Sequence, residues 1–304
     1  MSIDFNGTTS QLYNGTASVL GGSKQMTLCV WAYAESQGES NFGRLLSLDR
    51  ATGTGSFLAS FYNVGERMRL YKSCAVTSGL WNFPFTYNQW HALSISYDFS
   101  DDANIPVVRV DYADVSLTTV TTPVDADADP AANYGVGNNN VASTTWNGQI
   151  AYLRVYNTIL SNDDADLALK YQPNQVTDGL RLQLDMTTAT DVTDQTANGF
   201  DGTPANLATS ANNPNILTQT VATEAAVPGV TKKVSRIDWS FAETPVLGNL
   251  LVESPSGTTI FELDLATSGE DHVEFPSGLP GADGQAVIAS IESTVANTLN
   301  VSYM

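Results

Sequence analysis

Apolar residues along this chain recur in short runs that alternate with polar positions, at the spacing of roughly 8–12 residues typical of β-sandwiches. Turn pairs such as Asn6-Gly7 and Asn147-Gly148 lie between the runs. The strand candidates of the first half are residues 26–34, 43–49, 56–63, 67–74, 89–97, 106–112, 132–137 and 148–156. Because helical patterns do not alternate with these strands, the sequence predicts an antiparallel sandwich.

Residues 147–170 combine a strand with the one good helix candidate of the chain. Strict alternation predicts one strand face with Ile150, Tyr152, Arg154 and Tyr156, and the other with Ala151, Leu153 and Val155. Ser161 is a favourable N-cap for a helix over 161–170, and Asp163 and Asp164 fall in its positive first turn.

This strand and helix resemble the closing element of laminin-G-like jelly rolls in the concanavalin A-like lectin and glucanase superfamily. The family pattern is Gly-x-Ile-Asp-x-(Val/Leu)-Arg-(Ile/Val)-(Tyr/Trp)-Asn, and Ala151 stands at its usual Asp. Four further elements resemble the family in the expected order: residues 3–7, 26–32, 88–94 and 134–138. The resemblance implies an all-β jelly-roll sandwich of lectin type.

Residues 178–206 resemble a segment that in the family precedes the opening strand, although here they follow the closing helix. We therefore expect a circular permutation, in which they form edge strands of a first domain over 1–206; a degraded second copy is the alternative. Residues 207–217 are predicted to be a polar linker.

Residues 218–304 are predicted to form a smaller β-sandwich for attachment and oligomerisation. Its strand candidates are 230–241, 247–252, 258–265, 271–275, 285–292 and 297–303, with a turn predicted at 277–281. The overall pattern resembles small β modules of tailed-phage virion proteins.

The charge balance excludes two classes of partner. Asp and Glu number 32 against 13 Lys and Arg, for a net charge of −19. Such a surface repels nucleic acid and anionic membranes. Residues 1–5 show neither a basic region nor an apolar stretch, so the sequence predicts folding in a cytoplasm unless a leader was removed. Cys29 and Cys74 are then expected to be buried thiols, with a disulfide as the alternative.

Catalytic chemistry finds little support in the sequence. The nearest approach to a glucanase carboxylate motif is Glu262-Leu263-Asp264, which lacks the second Glu and lies outside the jelly roll. We interpret Glu262 and Asp264 as the solvent face of a strand. The two histidines, His91 and His272, lack the sequence context of a triad or a zinc site. We therefore expect the protein not to be an enzyme, and no cofactor is predicted apart from Ca²⁺.

The spacing of Asp125, Asp127 and Asp129 predicts three carboxylates on one face of an extended loop, an arrangement that suits Ca²⁺. Laminin-G-like domains often hold Ca²⁺ at a loop edge, which favours such a site, whereas the missing Asp at 151 argues against it. A solvated acidic loop is the alternative interpretation.

Two polar and aromatic groups are candidates for glycan binding, because lectin sites stack an aromatic ring on the sugar and bind its hydroxyls with amides. The candidate residues are Trp81, Tyr87, Tyr134, Asn138, Asn139 and Trp146. The alternative for the first group is a core strand through Trp81, Phe83 and Phe85, and for the second a plain turn.

These features favour a non-enzymatic bacteriophage virion protein, a head decoration or fibre component, that displays a lectin-like domain outward. Its expected partners are other virion proteins, copies of itself in a homotrimer, and a cell-surface glycan. An extracellular bacterial carbohydrate-binding module is the second hypothesis, and a degenerate glycoside hydrolase is the third.

Overall fold

The structure is a computed structural model that describes most of the chain. The described residues are 1–15, 18–49, 55–62, 65–74, 76–124, 133–138, 143–172, 174–190, 192–214, 216–225, 231, 233–241, 248–254, 258–265, 272–282, 285–293 and 297–303. Contacts divide them into two units, Met1–Leu169 with Val176–Pro214, and Lys170–Gln175 with Asn215–Met304. Within the described part, no helix has the length and apolar character to cross a membrane.

In the described residues, the first unit is built from strands, one α-helix and a short 3-10 helix at Glu39–Asn41. Its strands are β1 (Ser2–Asn6), β2 (Gln11–Asn14), β3 (Gln25–Ala34), β4 (Arg44–Asp49), β5 (Gly55–Phe61), β6 (Arg67–Lys72), β7 (Gly79–Pro84), β8 (Trp90–Asp98), β9 (Val107–Val110), β10 (Ala113–Asp114), β11 (Thr118–Thr121), β12 (Asn133–Val136), β13 (Asn147–Tyr156), β15 (Leu180–Leu184), β16 (Thr203–Ala205) and β17 (Ala208–Ser210). The helix is α1 (Asn162–Lys170), and β14 (Tyr171–Gln172) follows it in the second unit.

Two sheets enclose the core of this unit. Sheet one has the order β10-β9-β8-β3-β13-β1-β17, with β15 also paired to β13, and sheet two has the order β11-β7-β6-β5-β4-β12-β2-β16. Apolar side chains of both sheets meet between them, for example Leu28 and Val30 of β3 with Phe57 and Phe61 of β5. The family resemblance implied this jelly-roll sandwich, and the fold class is confirmed.

A β-bulge in β13 changes the predicted alternation of the closing strand. The register with β3 shifts between Ala151 and Arg154, and Tyr152 has a φ of 51°. A bulge adds one residue to one strand, so every later residue of that strand points to the opposite face from the one that strict alternation predicts. Ile150 and Leu153 therefore both point into the core, although strict alternation placed them on opposite faces.

The helix covers the outer side of sheet one. The N-cap prediction is confirmed, because the Ser161 hydroxyl accepts a hydrogen bond from the Asp164 amide at 3.1 Å. At the other end of α1, Trp31 Nε1 donates to the Leu169 carbonyl at 2.7 Å. Cys29 and Arg154, which are paired across β3 and β13, are buried on this side of the sheet.

Residues 178–206 complete the edges of both sheets of the first unit. β15 pairs with the end of β13, and β16 pairs with β2. The predicted linker over 207–217 needs correction, because Ala208–Ser210 pair with β1 and a further strand begins at Leu217. Short polar edge strands carry no apolar alternation, which is why the sequence indicated a linker.

The second unit has two smaller sheets. Its further strands are β18 (Leu217–Glu224), β19 (Lys233–Phe241), β20 (Gly248–Glu253), β21 (Thr259–Asp264), β22 (His272–Pro280), β23 (Val287–Ser293) and β24 (Asn297–Tyr303). The sheets have the orders β14-β18-β23-β20-β21 and β22-β19-β24, and they share one apolar core. Residues 277–280 of the turn predicted at 277–281 are instead part of β22, whose register with β19 shifts between Glu274 and Leu279.

Residues 170–172 are held in the second unit by a buried acid. The Glu292 carboxylate accepts a hydrogen bond from the Tyr171 hydroxyl and lies 3.2 Å from Lys170 Nζ. Glu292 is itself buried. A buried carboxylate is tolerated where donors and a cation surround it, so these contacts explain why β14 joins this unit.

We predict different reactivities for the two free cysteines. Burial raises the pKa of Cys29 to about 12, whereas Cys74 is only half-buried. At pH 8 a thiol-specific reagent should therefore label one thiol per native chain, at Cys74, and two after denaturation. Rapid labelling of Cys29 in the native chain would contradict this.

The same pKa shift predicts alkaline sensitivity. A folded-state pKa above the unfolded value near 9 stabilises the fold fully below pH 9, and this contribution is lost as the pH rises through about 12. The free energy of unfolding should therefore decrease over this range, and it should decrease less in Cys29→Ala. Chemical denaturation of both proteins at a series of pH values measures the difference.

Candidate functional site

The large aromatic residues proposed for glycan binding lie in the core of the first unit. Trp81, Tyr134 and Trp146 are all fully buried. The Trp81 ring packs edge-on against Tyr97 at 5.5 Å, and the Trp146 ring stacks on Phe61 at 5.1 Å. These rings cannot reach a ligand, which corrects the prediction for the three residues and favours the core-strand interpretation of Trp81.

Asn138 is also buried and has a structural role. Its side-chain amide donates to the Ser10 carbonyl at 3.0 Å, and its Oδ1 accepts from the Thr144 amide at 3.1 Å. These bonds satisfy the amide inside the protein and connect Asn138 to Ser10 and Thr144. The proposed sugar contact of Asn138 is corrected accordingly, while Asn139 lies outside the described residues.

Tyr87 is the one described candidate that is partly exposed. Its ring packs edge-on against Phe61 at 5.4 Å, and its hydroxyl donates to the Gly65 carbonyl at 2.8 Å. Burial raises its pKa above the ordinary value for tyrosine. The ring is thus held from inside the sandwich, although one part of it remains accessible.

The proposed Ca²⁺ ligands, Asp125, Asp127 and Asp129, lie outside the described residues. Elsewhere, the described part of the chain contains no group of three or more His, Cys, Asp or Glu side chains that could hold a metal ion. The prediction for the acidic loop therefore remains a prediction.

The outer face of sheet two presents a different set of side chains. Phe57, Ala59 and Phe61 of β5 point into the core, so Leu58 and Ser60 point outward. In β6, Met68 and Leu70 are core residues, so the outward positions are 67, 69 and 71. The alternating pattern of these strands decides which residues solvent can reach.

Strand register brings the outward residues into two transverse rows. Arg44 of β4 lies opposite Ser60, which in turn lies opposite Arg69. In the next row Leu58 lies opposite Tyr71, which lies opposite Leu80 of β7. The small Ser60 stands between two long arginines, and this difference in size leaves room above it.

The space above Ser60 is a cleft of about 320 Å³. It is lined by Phe42, Leu58, Tyr62, Tyr71 and Leu80 together with the polar residues Arg44, Ser60, Arg69 and Thr144. Within the part of the chain that the structure describes, no residue of this lining is acidic. An aromatic and aliphatic lining with a few polar groups is the usual composition of small-ligand sites.

Tyr62 is the exposed aromatic residue of the cleft. Its side chain is 41% exposed, although large apolar residues usually bury most of their surface. The Phe42 ring meets it edge-on at 5.3 Å, and the Arg69 guanidinium carbon lies 3.2 Å from the Tyr62 ring centroid. These contacts hold the Tyr62 ring in place while leaving part of it open to solvent.

The polar groups of the cleft are oriented by neighbouring side chains. Arg69 Nε donates to Asn82 Oδ1 at 2.9 Å, and the Ser78 hydroxyl donates to the Tyr71 hydroxyl at 3.0 Å. The Thr144 hydroxyl oxygen is buried and has no hydrogen-bond partner among the described residues, so the accessible hydroxyl groups are those of the serine and the two tyrosines of the lining. The cleft therefore offers guanidinium and hydroxyl groups beside an aromatic ring, a set that suits a polyhydroxylated ligand.

A second polar arrangement involves His91, which is buried in β8. Its Nδ1 lies 2.7 Å from Asp111 Oδ2 and its Nε2 lies 2.8 Å from the Thr86 hydroxyl, in the order found in hydrolase triads. The Gln89 amide also lies 3.1 Å from Nε2, and Asp111 Oδ1 accepts from the Ala92 amide at 3.0 Å. These contacts fasten the turn before β8 to the turn after β9.

The carboxylates considered for glycoside hydrolysis behave as expected from the sequence. Glu262 and Asp264 are exposed and alternate with half-buried residues along β21 of the second unit. Their interpretation as a solvent face is confirmed. Neither belongs to the cleft of the first unit.

Solved structures with similar folds have low sequence identity to this chain. A heptameric SAP-like pentraxin from Limulus polyphemus matches with 13% identity over 56% of this chain and 81% of its own, at a TM-score of 0.42. A Bacteroides ovatus protein named for carbohydrate binding matches with 12% identity over 67% of this chain and 61% of its own, at a TM-score of 0.44. Domains LG4-5 of mouse laminin α1 match with 12% identity over 99% of this chain and 77% of their own, at a TM-score of 0.40.

The family assignment comes from the sequence of the jelly roll itself. No curated protein matches the chain. The laminin-G-like family model of the concanavalin A-like lectin/glucanases superfamily matches residues 6–165, which is more than half of the chain and includes most of both sheets. The chain therefore belongs to the concanavalin A-like lectin/glucanases superfamily, as a laminin-G-like protein.

Proposed function

We propose that this protein is a non-enzymatic glycan-binding protein that holds its ligand in the cleft on sheet two. The observation that carries the proposal is the exposed ring of Tyr62, fixed between Phe42 and Arg69 at the mouth of a polar cleft. Aromatic rings bind the apolar C–H face of a sugar, and neighbouring hydrogen-bonding groups bind its hydroxyls. Membership of a lectin superfamily supports the same function.

The size of the cleft indicates a short ligand. A volume of about 320 Å³ is at the small end of ligand pockets and accommodates one or two sugar rings. The contacts come from one face of a sheet, so they bury less of the ligand than an enclosed pocket would. We expect dissociation constants in the micromolar to millimolar range for a single site, raised in avidity if several copies are displayed together.

Binding without catalysis follows from the chemistry of the lining residues. Glycosidases of most families need two carboxyl groups beside the scissile bond, one as acid and one as base or nucleophile. The lining residues that the structure describes include neither Asp nor Glu. The degenerate glycosidase hypothesis is therefore the weakest of the three.

The finer proposal is that the chain is a bacteriophage virion component, a head decoration or fibre protein. Its support is a lectin-type domain joined to a second β unit that has its own core, in a strongly acidic chain. In this proposal the second unit attaches to other virion proteins and trimerises, while the cleft contacts a cell-surface glycan. The alternative is an extracellular bacterial carbohydrate-binding module.

Replacing the exposed aromatic tests the glycan-binding proposal. Tyr62→Ala should weaken binding to a responding glycan by about tenfold or more, because the stacking surface is lost. A glycan array followed by titration calorimetry provides the measurement. Tyr112→Ala is the matched control, since Tyr112 is 38% exposed and lies beyond β9 of sheet one. Equal losses in both variants, or no binding by the native protein, would refute the proposal.

The oligomeric state distinguishes the virion proposal from the extracellular binding module. The virion proposal predicts that the whole chain forms a trimer in light-scattering measurements at micromolar concentration, and that the fragment 1–214 is monomeric. A multivalent display on a particle benefits from such an assembly. A monomeric whole chain would favour the extracellular binding module.

A further inference from the structure

We propose that the ligand of the cleft is an acidic sugar, whose carboxylate binds between Arg44 and Arg69. This inference rests on the proposed glycan-binding function and specifies its ligand class. It depends on the local charge, on the row that contains the two arginines, and on the contacts that orient Arg69.

The cleft is cationic in a strongly anionic chain. The whole protein carries 32 acidic and 13 basic residues, yet the described residues that line the cleft include two arginines and no carboxylate. Acidic residues are common enough here to neutralise a surface arginine wherever the fold permits it. A site from which they are absent favours an anionic ligand over a neutral one.

Other arginines of the chain show the contrast. Arg109 pairs with Asp114 at 3.0 Å and with Asp166 at 2.9 Å, and Arg236 pairs with two further carboxylates. Within the described residues Arg69 contacts only neutral groups, the Asn82 side chain and the Tyr62 ring. Its charge is thus available to a ligand.

The geometry of the row suits a carboxylate. Arg44, Ser60 and Arg69 lie directly across three neighbouring strands, so the Cα atoms of the two arginines are about 10 Å apart. Arginine side chains are long enough to reach one carboxylate placed above the serine from both sides of the row. Guanidinium groups bind carboxylates through two parallel hydrogen bonds, which gives direction as well as affinity.

The orientation of Arg69 is fixed before any ligand binds. Its Nε is occupied by Asn82, and its guanidinium plane lies over Tyr62. An arginine held in this way keeps the N–H groups of its terminal nitrogens for a partner and loses little entropy on binding. A carboxylate bound there places the rest of its sugar ring beside Tyr62. The ligand then contacts the charged guanidinium and the aromatic ring together.

Matched pairs of acidic and neutral ligands test the inference. The probes are trigalacturonate with its methyl ester, and sialyllactose with lactose, titrated into the whole protein by calorimetry. At least one acidic probe should bind about tenfold or more tightly than its neutral partner. The difference should shrink between 50 and 500 mM NaCl, because salt screens the charges.

Two arginine variants identify the site. Arg69→Gln should abolish the preference for the acidic probe, so that the acidic probe and its neutral partner bind with affinities within about twofold of each other. The control is Arg67→Gln, which removes the same charge from an exposed position on the same face of β6, outside the cleft lining. That variant should retain the preference. Thermal unfolding of both variants verifies that they are folded.

Other results of these titrations would overturn the acidic-sugar inference, the carboxylate assignment or the proposed function. Equal binding of acidic and neutral probes, with loss of both in Tyr62→Ala, would overturn the acidic-sugar inference and leave the proposed function intact. Equally tight binding, through Arg69, of a glycan that carries sulfate and no carboxylate would overturn the carboxylate assignment. Failure of every glycan to bind would overturn both the inference and the proposed function.

Discussion

The two-residue alternation of β5 and β6, with one face buried in the sandwich, is the constraint on which the site depends. Phe57, Ala59 and Phe61 must point inward to fill the core, so Ser60 must point outward. A one-residue slip would expose the phenylalanines and bury the polar side chains, at a cost far greater than any single surface contact could offset. Burial on one face thus fixes the chemistry of the opposite face.

The sequence predicted the fold well where motifs and alternation coincide, and less well at irregular positions and edges. The Ser161 cap and the helix after it follow from local chemistry that needs no tertiary partner. The bulge at Tyr152 cannot be read from alternation, because one inserted residue leaves each half of the pattern intact. The strand at Ala208–Ser210 was missed since a polar edge strand obtains its pairing from a neighbour and not from its own pattern.

The candidate site was less predictable than the fold for a related reason. Large aromatics attract attention as sugar-binding groups, yet the same large apolar surface makes Trp81 and Trp146 the most favourable residues to bury. The alternation of Arg67, Arg69 and Tyr71 with Met68 and Leu70 was a usable signal for an outward face. The row from Arg44 to Arg69 could not be predicted from the sequence, because it depends on the pairing of three strands, which only the structure shows.

The most direct measurement of the central claim is a crystal structure of the whole protein in complex with a glycan that it binds in solution. We predict a sugar ring against Tyr62, with an acidic substituent above Ser60 and within hydrogen-bonding distance of Arg44 and Arg69. A ligand bound elsewhere, for example on the half-buried pair of Tyr33 and Trp90 in sheet one, with the cleft empty, would contradict it.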